Sequence, residues 1–103
     1  MYISMVEFTV TADDKAQFAN KIKNDVEKLK AVDGVISTEA WVNERATKTT
    51  YALVTKWIDE QAQKTWINRP EHVAHHKKMS QELKAHPEKK KNIEKKVSGY
   101  QLF

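Results

Sequence analysis

Residues 2–10 alternate in polarity. Tyr2, Ser4, Val6, Phe8 and Val10 fall on one side of an extended chain, and Ile3, Met5, Glu7 and Thr9 on the other. Period two predicts a strand, apolar on one face and mixed on the other. The period then changes. Phe18, Ile22, Val26 and Leu29 recur at helical spacing and form one apolar stripe. Thr11-Ala12-Asp13-Asp14 resembles a capping box, with acidic charge where the helix dipole favours it. Asp33-Gly34 marks the end of that helix, because glycine accepts the left-handed conformation a terminus often needs. Val35 to Asn43 predicts a second strand, with Val35, Ser37, Glu39 and Trp41 on one face and Ile36, Thr38, Ala40 and Val42 on the other. Polar Glu44 to Lys48 predicts a hairpin loop, and the β-branched and aromatic run Thr49 to Trp57 a third strand. Asp59 suits the cap of a short helix ending near Ile67. Pro70 interrupts it and suits the first turn of a further helix, which extends to about Ala85 with Pro87 just beyond. An exposed lysine-rich stretch, 88–96, then leads to a last strand over Val97–Phe103.

The order is β-α-β-β-α-β. It predicts a ferredoxin-like α+β fold, an antiparallel sheet with its helices on one face, in a single domain spanning residues 1–103. Large apolar residues occur on both faces of the strands, yet helices cover only one. A second copy is the simplest cover for the other, so the expectation is a homodimer with two sheets packed face to face.

Composition narrows the function classes. With no cysteine, disulfides, thiolate metal sites and thiol catalysis are excluded; the compartment expected by default is the cytoplasm. No apolar run is long enough for a membrane span, and the N-terminus lacks the basic region of a signal peptide. The net charge of +4 is concentrated: residues 77–96 hold eight lysines against Glu82, Glu88 and Glu94. That segment reads as a solvated face or as a landing site for an anionic partner. No arginine lies within it and no aromatic is interleaved before Tyr100, which argues against nucleic-acid readout. Two glycines leave no phosphate-binding loop, and no serine sits in a nucleophile-elbow motif.

The chemistry concentrates in Trp57–His76, WIDEQAQKTWINRPEHVAHH, which holds two tryptophans and three of the four histidines. Large rings and imidazoles at controlled spacing suit a flat aromatic ligand and its metal. At about 100° per residue from Val73, His76 falls between Val73 and Leu83 on an apolar, inward arc, with His72 at its margin and His75 opposite. A buried imidazole needs a hydrogen-bond partner or a metal. His76 is therefore either a core histidine bonded to a carbonyl or a ligand. Trp66 is either a core residue bridging helix and sheet or part of a binding wall.

The chain resembles the antibiotic biosynthesis monooxygenase family, small dimeric α+β barrels. The resemblance rests on the N-terminal strand, the first helix ending in AVDGV, the strand ending in LVTKW, and the tryptophan-bearing helix after it. The closest pattern is that of the bacterial haem-degrading monooxygenases, which carry a tryptophan, nine residues, then a histidine; Trp66 and His76 have this spacing. The resemblance implies that His76 is the axial ligand of haem iron and that Trp66 presses on and ruffles the porphyrin. Val6 occupies the position of the family's distal asparagine and cannot donate a hydrogen bond. This departure bears on oxygenation more than on haem binding. Three functions stay open at this level. The first is a haem-binding, haem-degrading monooxygenase working with dioxygen and an external reductant. The second is a cofactor-independent quinol or polyphenol monooxygenase with His76 as general base. The third is a non-catalytic dimeric ligand-binding module. The partners implied are a second copy and a small aromatic or porphyrin ligand, with neither nucleic acid nor membrane.

Overall fold

The computed structural model describes residues 1–85 and 93–103. Its elements are β1 (Tyr2–Thr11), a 3-10 turn (Ala12–Asp14), α1 (Lys15–Lys30), β2 (Val35–Glu44), β3 (Lys48–Trp57), α2 (Glu60–Ile67), α3 (Pro70–Ala85) and β4 (Glu94–Gln101). The four strands form one antiparallel sheet in the order β2-β3-β1-β4, the ferredoxin-like arrangement expected from the element order. Among the described residues no helix is long and apolar enough to cross a membrane.

Register determines which side chains face the helices. Along β1, Tyr2, Ser4, Val6, Phe8 and Val10 stand opposite Trp57, Thr55, Leu53, Tyr51 and Thr49 of β3. These positions form the helix side of the sheet. Val10, Tyr51, Phe18 and Ile22 make one buried cluster there, and Leu29, Leu53 and Trp57 a second. The polar members of this face are satisfied: the Trp57 Nε1–H donates to Ser4 Oγ at 3.0 Å, and Thr38 and Thr55 hydroxyls pair at 3.0 Å. The other face carries Ile3, Met5, Glu7, Val54, Trp41 and Tyr100, with Trp41 61% and Tyr100 57% exposed.

Three sequence-based expectations need correction. The faces of β2 do not run unbroken, because the register shifts between Val35 and Ser37. This irregularity drops Ile36 from the ladder and returns Val35 to the helix side, opposite Trp57, whereas Trp41 lies on the outer face. The Thr11–Asp14 segment makes no backbone cap: Asp14 is the N-cap of α1 without a side-chain cap bond, and its carboxylate accepts weakly from the Thr11 hydroxyl at 3.5 Å. Lastly, β4 starts at Glu94. Pairing with β1 continues through Phe8↔Lys95 and Glu7↔Lys96, so Lys95 and Lys96 belong to a strand and not to the lysine-rich connection. Ladder hydrogen bonds along β1 outweigh the low strand propensity of lysine. The remainder of the expected connection, residues 86–92, lies outside the described residues.

Other local rules hold. Asp59 Oδ1 accepts from the Ala62 N–H at 2.8 Å and caps α2. Gly34 sits at φ +89°, and a β-carbon there would stand 2.7 Å from the Ala62 side chain, so only glycine suits both the turn and the approach of α2.

Candidate functional site

Helix α1 is fastened to the sheet by Phe18, Ile22 and Leu29, and α2 by Ala62 and Trp66. α3 is different. It supplies no described residue to either core cluster, and among its described side chains only His72 is partly withdrawn from solvent. Val97, on the helix side of β4 beside Val6, is 60% exposed. The helix side of the β1–β4 half of the sheet carries Val6, Phe8 and Val97.

Aromatic and basic side chains gather at the α2–α3 junction. The Arg69 guanidinium lies 3.3 Å over the Trp66 ring, and its Nη1 donates to the Trp66 carbonyl at 2.7 Å. Arg69 Nε also approaches Glu71 at 3.6 Å, although that carboxylate is 86% exposed. Three and seven residues on, His72 and His76 project from the same stripe of α3, with ring centroids 4.3 Å apart in an edge-to-face arrangement. Neither imidazole hydrogen-bonds to another described residue. On the sheet, two ammonium groups stand over Phe8: Lys21 at 5.1 Å, which also pairs with Asp25, and Lys95 at 5.8 Å.

Burial lowers the pKa of His72 below the ordinary imidazole value, and the neighbouring basic groups His76, Arg69, Lys95 and His75 lower it further. Its positive form is disfavoured twice over, by desolvation and by like charge.

The helical arc expected from sequence is rotated. His76 is exposed and His72 is the more inward ring, because Val73, the chosen centre of the arc, is 51% exposed. Trp66 is half-buried against the Leu29–Leu53–Trp57 cluster, with Arg69 on its ring. Val6 is on the helix side of β1, and the strand pleat sends Glu7 to the outer face. Sequence reasoning missed Arg69 and Lys95. The first could have been found as an arginine three residues after a tryptophan, the second by extending the β4 pairing two residues upstream. A shallow groove of about 390 Å³ lies between α1 and β2, lined by Ala16, Ala19, Val42 and Tyr51 and crossed by the 2.9 Å Lys15–Glu44 ion pair; none of the residues of the α2–α3 junction lines it.

The fold defines a ferredoxin-like α+β protein that groups aromatic and basic side chains about the α2–α3 junction. The chain belongs to the antibiotic biosynthesis monooxygenase family, whose model matches residues 1–78. Solved structures share the fold at low identity. A Deinococcus radiodurans protein provisionally assigned to the antibiotic biosynthesis monooxygenases is 17% identical, with a TM-score of 0.69, covering 100% of this chain and 93% of that one. The haem degrader MhuD of Mycobacterium tuberculosis, solved with two haems in its active site, is 13% identical, with a TM-score of 0.64 over 99% of this chain and 95% of its own. SnoaB of Streptomyces nogalater, a cofactor-independent oxygenase, is 14% identical, with a TM-score of 0.62 over 99% and 93%. No curated protein sequence matches the chain.

Proposed function

We propose that this chain is a monooxygenase that seats a flat, anionic aromatic molecule between α3 and the sheet, and that haem is the ligand its residues suit. The observation carrying the proposal is the His72–His76 pair, 4.3 Å apart on α3; Val6 and Val97, on the helix side of the sheet, would be the apolar floor of the site. The donor set fits the group. The exposed His76 ring makes no hydrogen bond to another described residue, which leaves a nitrogen for iron. The floor matches the apolar faces of a macrocycle, and the basic rim matches its carboxylates. Iron porphyrin, when bound, supplies the dioxygen chemistry with an external reductant. His76 would hold the iron, His72 would steady that ring from its edge, and Trp66 would limit the wall of the site. Arg69 covers one face of the indole, so Trp66 meets a ligand by its edge. Val6 contributes shape and no distal hydrogen bond.

A second reading has its own support in the lowered pKa of His72. A neutral imidazole among cations accepts a proton from an acidic phenol, and the same cations stabilise the phenolate that results. This suits a cofactor-independent monooxygenase of quinols or polyphenols, with His72 as base.

The outer face of the sheet supports a homodimer. Trp41 and Tyr100 stand exposed there beside Ile3, Met5 and Val54, and a second copy of the same face covers them in a two-fold arrangement. Sedimentation should give a dimer at micromolar protein; a single monomeric species contradicts it.

The test of the haem reading is a haemin titration followed by the Soret band. Wild type should give a shifted, saturable band that His76→Ala loses. Unchanged spectra in both proteins remove haem, and quinol turnover without haem then tests the second reading. Haem that binds but stays intact under ascorbate and air leaves a binding module.

A further inference from the structure

Helix α3 gets little support from the rest of the fold. It runs for 16 residues, supplies no described residue to either core cluster, and leaves Val73 51% and Met79 46% exposed. An isolated helix of this length is near the margin of stability in water. Its first turn is nonetheless fixed, because the N–H groups of His72 and Val73 both donate to the Arg69 carbonyl, at 3.1 and 3.2 Å. That turn sets His72 directly before His76 on one stripe of the helix. Their ring centroids are 4.3 Å apart and their planes are inclined at 69°, so the rings meet edge to face and do not stack. The His75 ring stands further off, 6.1 Å from His76. Among the described residues no hydrogen bond ties up a nitrogen of His72 or His76. The Arg69 guanidinium is turned away onto Trp66 and is met by Glu71 at 3.6 Å.

We infer that His72 and His76 chelate a divalent transition-metal ion without any porphyrin, and that the ion staples the first turns of α3. Two imidazoles bound to one ion through bonds of about 2.1 Å hold their centroids roughly 4.5–5 Å apart. The observed 4.3 Å is close to that separation, so rotation of the side chains alone brings both rings to one ion. The second bond forms on the same helix turn as the first and costs little further entropy. Imidazole suits copper, nickel and zinc, whereas manganese and magnesium favour oxygen ligands. Among the described residues no group of three or more histidine, aspartate or glutamate side chains is placed to hold a metal. Water completes the coordination, which makes the ion exchangeable. The inference shares residues with the ligand site proposed above but needs neither haem nor turnover. In the haem reading His72 only steadies its neighbour; here it is an equal ligand.

The test titrates tag-free protein, without porphyrin, with nickel(II) and manganese(II) in a calorimeter. Nickel should bind about tenfold or more tighter than manganese. His72→Ala and His76→Ala should each weaken nickel by about tenfold or more, since a chelate becomes a single bond. His75→Ala should leave nickel binding unchanged, because adjacent helix positions diverge by about 100°. Circular dichroism confirms that each variant is folded. Zinc(II), which is diamagnetic, should slow amide hydrogen exchange along α3 in wild type and not in His72→Ala. No binding at millimolar nickel, a loss confined to one of His72 and His76, or unchanged exchange at saturating zinc overturns the inference. The two proposals fail separately. Nickel chelation with no Soret response to haemin keeps the chelate and removes haem. A His76-dependent Soret shift in a protein that binds no nickel does the reverse.

Discussion

The Arg69 guanidinium stacks on the Trp66 ring at 3.3 Å and is bonded to the same residue's carbonyl at 2.7 Å. One side chain thus fixes both an indole face and the junction of α2 with α3. Removing it exposes the ring. In a Trp41→Phe background, Arg69→Ala should increase acrylamide quenching of tryptophan fluorescence and cost about 1 kcal/mol of stability. Unaltered quenching shows that the stack does not persist in solution.

Ser4 accepts the only hydrogen bond available to the buried Trp57 indole N–H, at 3.0 Å, and Trp57 itself is 1% exposed. Ser4→Ala leaves that donor unpaired in the core. The expected loss is about 1–3 kcal/mol in urea denaturation. A loss of a few tenths would mean that another acceptor or a water replaces Ser4.

Gly99 lies under the Tyr2 ring, where a β-carbon would collide with the phenol oxygen and stand 2.7 Å from Cζ. The missing side chain is what admits Tyr2 against β4. Gly99→Ala should destabilise by about 1–3 kcal/mol through overpacking. Adding Tyr2→Phe, which deletes the nearest atom, should recover part of that loss in the same denaturation assay. An additive double mutant argues against the collision.

His72 gives a pH dependence with a defined sign. Its folded pKa is lowered by burial and by neighbouring basic groups, so the unfolded chain takes up a proton there first. Above the ordinary value of 6.5 the residue contributes nothing to the pH dependence. Below it, stability falls with pH until the folded imidazole is protonated too. His72→Gln should flatten this part of the profile as pH falls through and below 6.5. The effect is modest because the ring is partly exposed. Parallel profiles for the two proteins contradict it.

Most of the fold was legible from residue spacing. The alternation in Tyr2–Val10 and the stripe Phe18–Leu29 each match one period, and caps such as Asp59 and Gly34 mark ends by local chemistry alone. What spacing could not show depends on partners far along the chain. Ile36 leaves the ladder because β3 imposes its register, and Lys95 enters a strand because β1 offers it hydrogen bonds. The site divides the same way. Trp66 and His76 could be singled out from their interval, and the alternation along β1 put Val6 with Phe8 and Val10 on the helix side. The inward position of His72 could not be read, since it depends on how α3 tilts over the sheet. Val73, apolar in sequence and half-exposed in the fold, pointed the helical arc in the wrong direction.

The central claim is that ligand enters between α3 and the β1–β4 half of the sheet. Amide spectra of the labelled protein, titrated with gallium protoporphyrin IX as a diamagnetic haem analogue, test it most directly. The largest shifts are expected at Val6, His72, His76, Lys95 and Val97. Shifts centred on Trp41 and Tyr100, or none at saturating ligand, would contradict the account.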